Sequence, residues 1–226
     1  MEKYQEVEGD LIKLALKGNF DVIVHGCNCF CTMKAGIAPL MAKTFGCDKF
    51  NLELTEKIKW DPETEKEYKI PTNNKGNINK LGNIDFSQLY LWFKHPAIKE
   101  EGVAYPMHHK SKDQPDVKDL IVVNAYTQYQ YGRNHLDGIE NPLDYEALTL
   151  CLRKINFIFK GKHIGLPLIG CGLAGGIWDY TKIPNDHTHK YYIMRADYAT
   201  GVRKDVKTII QQELKDCFVT VVKFLK

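Results

Sequence analysis

The stretch Phe20-Asp21-Val22-Ile23-Val24-His25-Gly26-Cys27-Asn28 decides the architecture. Its β-branched centre lacks polar alternation, which predicts a strand over 20–25 buried on both faces, as in a parallel sheet. Such a strand needs helices on either side of the sheet. Leu120-Ile121-Val122-Val123-Asn124-Ala125-Tyr126, His163-Ile164-Gly165-Leu166-Pro167 and Phe218-Val219-Thr220-Val221-Val222-Lys223-Phe224 read as further strands of this sheet, and Tyr4 to Glu8 as an edge strand. Helical patterns alternate with them. Leu11 to Lys17 predicts a short helix ended by Gly18-Asn19, and Gly36 to Phe45 a second with Pro39 in its first turn. Asp144 to Phe159 has the clearest helical period, with Ala147, Leu150, Cys151, Lys154, Ile155 and Ile158 near one face. Asp205 to Lys215 predicts an amphipathic helix. The alternation is that of an α/β layered fold.

Other segments are less regular. Asn83 to Phe86 and Leu89 to Phe93 predict two strands. Lys57 to Asn79, charged and carrying Pro62, Pro71 and Gly76, reads as a surface excursion, and His95 to Val117 as loop.

Composition narrows the function classes. The 226 residues hold 31 Lys+Arg against 28 Asp+Glu, a net charge of +3, too little for a nucleic-acid binder working by bulk charge. No run of about 18 uncharged apolar residues exists, so no membrane span is expected. The start, Met1 to Glu8, is too charged for a secretory signal peptide. Without an export signal, the seven cysteines predict reduced thiols in a cytosolic enzyme or ligand-binding domain.

Two glycine-rich loops leave apolar strands, and ligands of α/β sheets sit outside the carboxyl ends of the strands. The first, from Gly26 to Ala38, reads either as backbone wrapped round an anion at a helix N-terminus or as a tight strand-to-helix turn. The second, Gly170-Cys171-Gly172-Leu173-Ala174-Gly175-Gly176, reads either as an amide-lined approach to a pyrophosphate or as a hinge. Neither is a Walker A or a G-x-G-x-x-G motif. Cys27, Cys29 and Cys31 alternate with period two, which is not zinc spacing. His108-His109 and His187-Thr188-His189 lie in polar loops, so no metal or cofactor is expected. Tyr126, Tyr129 and Tyr131 read as rim packing, or as a wall for an adenine or ribose.

Gly9-Asp10-Leu11, the Phe20 to Asn28 stretch and Met33-x-Ala35-Gly36-Ile37-Ala38 together resemble the first half of a macrodomain. Leu166-Pro167-Leu168-Ile169, followed by Gly170 to Gly176 and Trp178, is similar to its second phosphate loop. The likeness is closest to the bacterial and phage branch similar to ADP-ribose 1''-phosphate phosphatases. It implies a single three-layer α/β/α macrodomain over 1–226 with a mixed central sheet and irregular insertions at about 57–117 and 183–203. It also implies a cleft for ADP-ribose. Asp10, with Leu11 beside it, would accept from the adenine amino group, as an ionised carboxylate can. Asn28 would contact the distal ribose. Ala35, Gly36, Ile37 and Ala38 would cradle the diphosphate together with Gly170, Cys171, Gly172, Leu173, Ala174, Gly175 and Gly176. His25 matches a histidine of the phosphatase-like branch that assists catalysis, with Asn28 as its companion.

The implied activity is hydrolysis at the distal ribose, of ADP-ribose 1''-phosphate or an ADP-ribosyl ester; the alternative is a non-catalytic nucleotide-binding module. ADP-ribose or a related nucleotide is the expected partner, in the cytoplasm, with no membrane or nucleic acid and with the insertions as a protein-binding surface. Two positions depart from the family. Lys34 replaces a usual Gly, where it crowds the distal ribose or sets an ammonium beside a phosphate, and Ile177 stands where related sequences carry Asp.

Overall fold

The computed structural model describes residues 2–50, 57–61, 66–70, 76–110, 117–131, 142–179, 181 and 205–224. The main sheet has seven strands: β1 (Tyr4–Glu8), β2 (Val22–Asn28), β5 (Ile84–Trp92), β6 (Tyr105–Met107), β7 (Val117–Gln128), β8 (His163–Leu166) and β9 (Phe218–Lys223). Its order is β1-β9-β8-β2-β7-β5-β6. The first five strands run parallel, and β5 and β6 add an antiparallel edge. A separate antiparallel hairpin joins β3 (Lys57–Asp61) to β4 (Lys66–Ile70).

Alternation along the central strands feeds one core on each face. Val22, Val24, Val123 and Ala125 pack beneath α3 (Tyr145–Ile158) and α4 (Val206–Glu213). Ile23, Leu120 and Val122 face α1 (Leu11–Leu16) and α2 (Ala38–Phe45). This is the three-layer α/β/α arrangement. Aspartates start three of the helices: Asp10 caps α1, Asp144 accepts from the Ala147 amide at 2.9 Å, and Asp205 from the Thr208 amide at 2.7 Å. α2 starts without a side-chain cap and stops at Gly46, whose φ of 66° suits a glycine.

Several elements differ from the sequence expectation. β2 extends through Cys27 to Asn28, because pairing with β7 continues across a register shift. The two strands expected over 83–93 form one, since β7 pairs with every residue from Ile84 to Trp92. The stretches read as excursion and loop contain the β3–β4 hairpin, a 3-10 turn at Ile78–Lys80 and β6. α3 buries Ala147, Cys151 and Ile155 as expected, but Leu148 and Leu152 instead of Leu150 and Ile158, because it must cover β7 and meet α4 at once. All seven cysteines are free thiols. Among the described residues no helix is long and apolar enough to cross a membrane. The expected insertion at 183–203, with His187 and His189, lies outside the described residues.

Candidate functional site

The five parallel strands end at one edge of the sheet. β1 ends there at Glu8, which pairs with Lys223 at the end of β9, and the Gly9 amide donates to the Lys223 carbonyl at 2.9 Å. Asp10 follows at once. Its Oδ1 accepts from the amides of Ile12 at 2.9 Å and Lys13 at 3.1 Å, capping α1, while Oδ2 takes no hydrogen bond among the described residues. Leu11 is buried in the core beneath α2, so only its backbone remains at this edge. Phe224, directly after the residue that pairs with Glu8, is 70% exposed. Phe224, expected within the last strand, follows its end at Lys223.

Loop 1 is shaped by Asn28. Its side-chain Oδ1 accepts from the Phe30 amide at 3.0 Å, the Thr32 amide at 3.2 Å and the Thr32 hydroxyl at 2.9 Å. The side chain expected on the ribose thus spends its acceptor on folding the loop. Lys34, Ala35 and Gly36 are exposed, Ile37 is half-buried and Ala38 is buried at the start of α2. Gly36 has φ of 62°, and a Cβ there would meet nothing within 4 Å.

His25 lies elsewhere. It is fully buried on the α2 side of the sheet, in register with Asn124, and its Nε2 is 2.7 Å from Asn124 Oδ1. Cys47 Sγ sits 3.5 Å from the same nitrogen, and Cys27 Sγ lies 3.7 Å from the ring nitrogens. Burial pushes the imidazole down to about 4, against the hydrogen bond to Asn124. The histidine expected as acid/base is enclosed in the core, because β2 presents odd-numbered side chains to the α1–α2 layer.

Loop 2 separates its glycines by role. Gly170 has φ of 72°, and a Cβ there would lie 2.7 Å from Leu143 Cδ1. At Gly176 a Cβ would meet Leu143 and the Gly170 carbonyl, and its amide donates to that carbonyl at 2.8 Å. These two close the loop. Gly175 has φ of 68°, with its amide 3.0 Å from the Gly172 carbonyl. Gly172 and Leu173 are exposed, and a Cβ on Gly172 would meet nothing within 4 Å. Cys171 is half-buried, and Ala174 is buried with its carbonyl accepting from the Leu143 amide at 3.1 Å. Ile177 keeps its amide on the Tyr145 hydroxyl at 2.8 Å.

Under this edge Gly26 brings β2 close to β7 and loop 2, since a Cβ would lie 3.0 Å from Thr127 Oγ1 and 3.3 Å from Ile169 Cγ1. Thr127 Oγ1 and Trp178 Nε1 are buried with no hydrogen-bond partner among the described residues. Tyr126, 1% exposed, is core rather than wall, whereas Tyr129 and Tyr131 pack edge-on against Phe30. His108 and His109 are exposed, and among the described residues no group of three or more His, Cys, Asp or Glu is arranged to hold a metal.

No family model matches the chain. An uncharacterised 17.5 kDa protein from the tk–vs intergenic region of enterobacteria phage T4 is 26% identical over 197 residues, 85% of this chain and 94% of that protein. A solved protein of unknown function from Bacteroides thetaiotaomicron aligns with a TM-score of 0.51 at 19% identity, over 99% of this chain and 98% of that one. The macrodomain of Thermus aquaticus DarG aligns with a TM-score of 0.47 at 15% identity, over 99% and 98% of the two chains. The strand order and the helical layers on both faces make this a three-layer α/β/α fold with a mixed seven-stranded sheet, shared over nearly the whole chain with the Bacteroides thetaiotaomicron protein.

Proposed function

We propose that the chain is a single macrodomain binding ADP-ribose or a closely related derivative along the carboxyl edge of its sheet. The observation that carries this reading is the pair of open glycines. Gly36 and Gly172 are exposed with empty space where a Cβ would stand, so a ligand's oxygens can approach their backbone closely. The first turn of α2 has no side-chain cap; Pro39 has no N–H and the Leu40 and Met41 amides donate to the Ile37 carbonyl, so it adds the Ala38 amide. The diphosphate sits between these loops. Adenine sits beyond, its amino group on Asp10 Oδ2 and its ring on Phe224.

Calorimetry with ADP-ribose, AMP and NAD tests the proposal. ADP-ribose is expected to bind tightest; equal weak affinity for all three overturns it.

The binding reading is favoured over hydrolysis at the distal ribose by the enclosure of His25 and the engagement of Asn28 Oδ1. Incubation with ADP-ribose 1''-phosphate, followed by phosphorus NMR, is expected to release no phosphate above a His25→Ala control. Turnover lost in that control would restore the histidine to catalysis.

A further inference from the structure

The outer edge of the sheet lies open beside a helix whose apolar face is wider than the core uses. β7 pairs with β5 along its whole length, whereas β6, on the other side, covers only Tyr90 to Trp92. The Tyr126 amide donates to the Asn83 carbonyl at 3.0 Å, so the even positions of β7 turn their backbone to β5. Alternation then points the backbone of Asp85, Ser87 and Leu89 to β7, and that of Ile84, Phe86 and Gln88 outward. No strand pairs with those three on the outer side among the described residues. The usual devices that blunt an edge are missing here. Ile84 to Gln88 holds no proline or lysine, and its register with β7 is unbroken. Its one charge, Asp85, is turned to the opposite face, onto Tyr126 Oη.

α3 lies against both β7 and β5 and runs along this edge. Leu150 Cδ1 would lie 3.0 Å from a Cβ on Gly82, Lys154 donates to the Gly82 carbonyl at 2.9 Å, and the Phe86 ring meets Phe159 edge-on at 5.2 Å. Phe86, Leu150, Phe157 and Ile158 are 47%, 43%, 86% and 47% exposed. Together they leave on the order of 400 Å² of apolar side chain in water, taking about 150–250 Å² for a whole aromatic side chain. That is the size of a functional patch rather than of scattered exposure. With the strand backbone and a polar rim it approaches the roughly 800 Å² per partner of a stable interface.

We propose that two copies of this chain pair through β5, antiparallel about a two-fold axis at Phe86. The outward backbone is complementary to itself: Phe86 faces the partner's Phe86, and Ile84 faces the partner's Gln88, each pair exchanging N–H and C=O. Pairing stops where β6 begins at Tyr90. The helices fit the same arrangement. Neighbouring strands lie about 4.8 Å apart, so two α3 helices, each straddling β7 and β5, come about 10 Å apart, the spacing at which helices pack. Leu150, Phe157 and Ile158 then fill the seam between them. A lone foreign strand would satisfy the edge and leave α3 bare. The dimer uses neither glycine loop, so it forms without nucleotide.

Sedimentation equilibrium of the native full chain without nucleotide, over a series of concentrations, tests this. Twice the monomer mass is expected. Gln88→Pro removes an outward N–H that the monomer leaves unused, and Phe157→Glu sets a carboxylate in the seam from a position already in water. Both are expected to keep the wild-type circular dichroism and to weaken the dimer at least about tenfold. Should Gln88→Pro fail to fold, Phe157→Glu decides. Monomer mass at every concentration, or a dimer indifferent to either folded variant, overturns the proposal.

Discussion

Replacing Asp10 by asparagine and by alanine separates two roles held by one carboxylate. Oδ1 caps α1 through the Ile12 and Lys13 amides, and Oδ2 is the proposed acceptor for adenine. Asparagine caps helices about as well as aspartate, so Asp10→Asn should cost only a few tenths of a kcal/mol of stability, whereas Asp10→Ala should cost about 1 kcal/mol. Binding behaves differently. Asparagine can keep its oxygen on the helix amides only by turning its NH2 toward the adenine amino group, donor against donor. Both variants therefore lose a hydrogen bond to a charged group, about 1–3 kcal/mol, which is a roughly 5- to 150-fold loss of affinity. Urea unfolding gives the stabilities and calorimetry with ADP-ribose the affinities. Wild-type affinity in a folded Asp10→Asn refutes the adenine placement. A stability loss in Asp10→Asn equal to that in Asp10→Ala refutes the capping argument.

Other expectations can be measured directly. Gly170→Ala should destabilise the fold by about 1–3 kcal/mol in urea unfolding, since positive φ and Leu143 both oppose a Cβ. Gly172→Ala should leave stability within about 0.5 kcal/mol and weaken ADP-ribose in calorimetry, because its added methyl projects into space the ligand would occupy. His25 sets an acid limb. Its folded value, about 4, lies below the unfolded 6.5, so the unfolded chain binds the proton first and stability falls as pH drops from 6.5 to 4. The full loss from His25 is about 3 kcal/mol, and urea unfolding across that range should show a steeper slope in the wild type than in His25→Gln, which keeps the contribution of His163, also lowered by burial.

The sheet was legible because Val22 to Val24, Leu120 to Ala125 and Val219 to Val222 bury both faces, and no other environment suits such runs. Asp144 and Asp205 likewise announced the helices they cap. What sequence left open was set by pairing and enclosure at long range. The union of 84–92 into one strand depends on β7 lying alongside. The depth of His25 depends on Cys47 and Asn124, which close over it. The glycines of loop 2 look alike in sequence, yet Leu143 divides them, filling the space beside Gly170 and Gly176 and leaving Gly172 clear.

The pairing of β1 with β9 gives the molecule a built-in check on its own completion. Gln5 and Thr220 touch across 215 positions of chain, a closure that local contacts cannot prepare and that belongs among the slow steps of assembly. A chain halted before Phe218 would carry both glycine bends and still lack β9, the strand that pairs with β1 just before Asp10, and Phe224 with it. A nucleotide gripped at that seam would draw the folding equilibrium toward the fully zipped sheet, so that occupancy and integrity rise together.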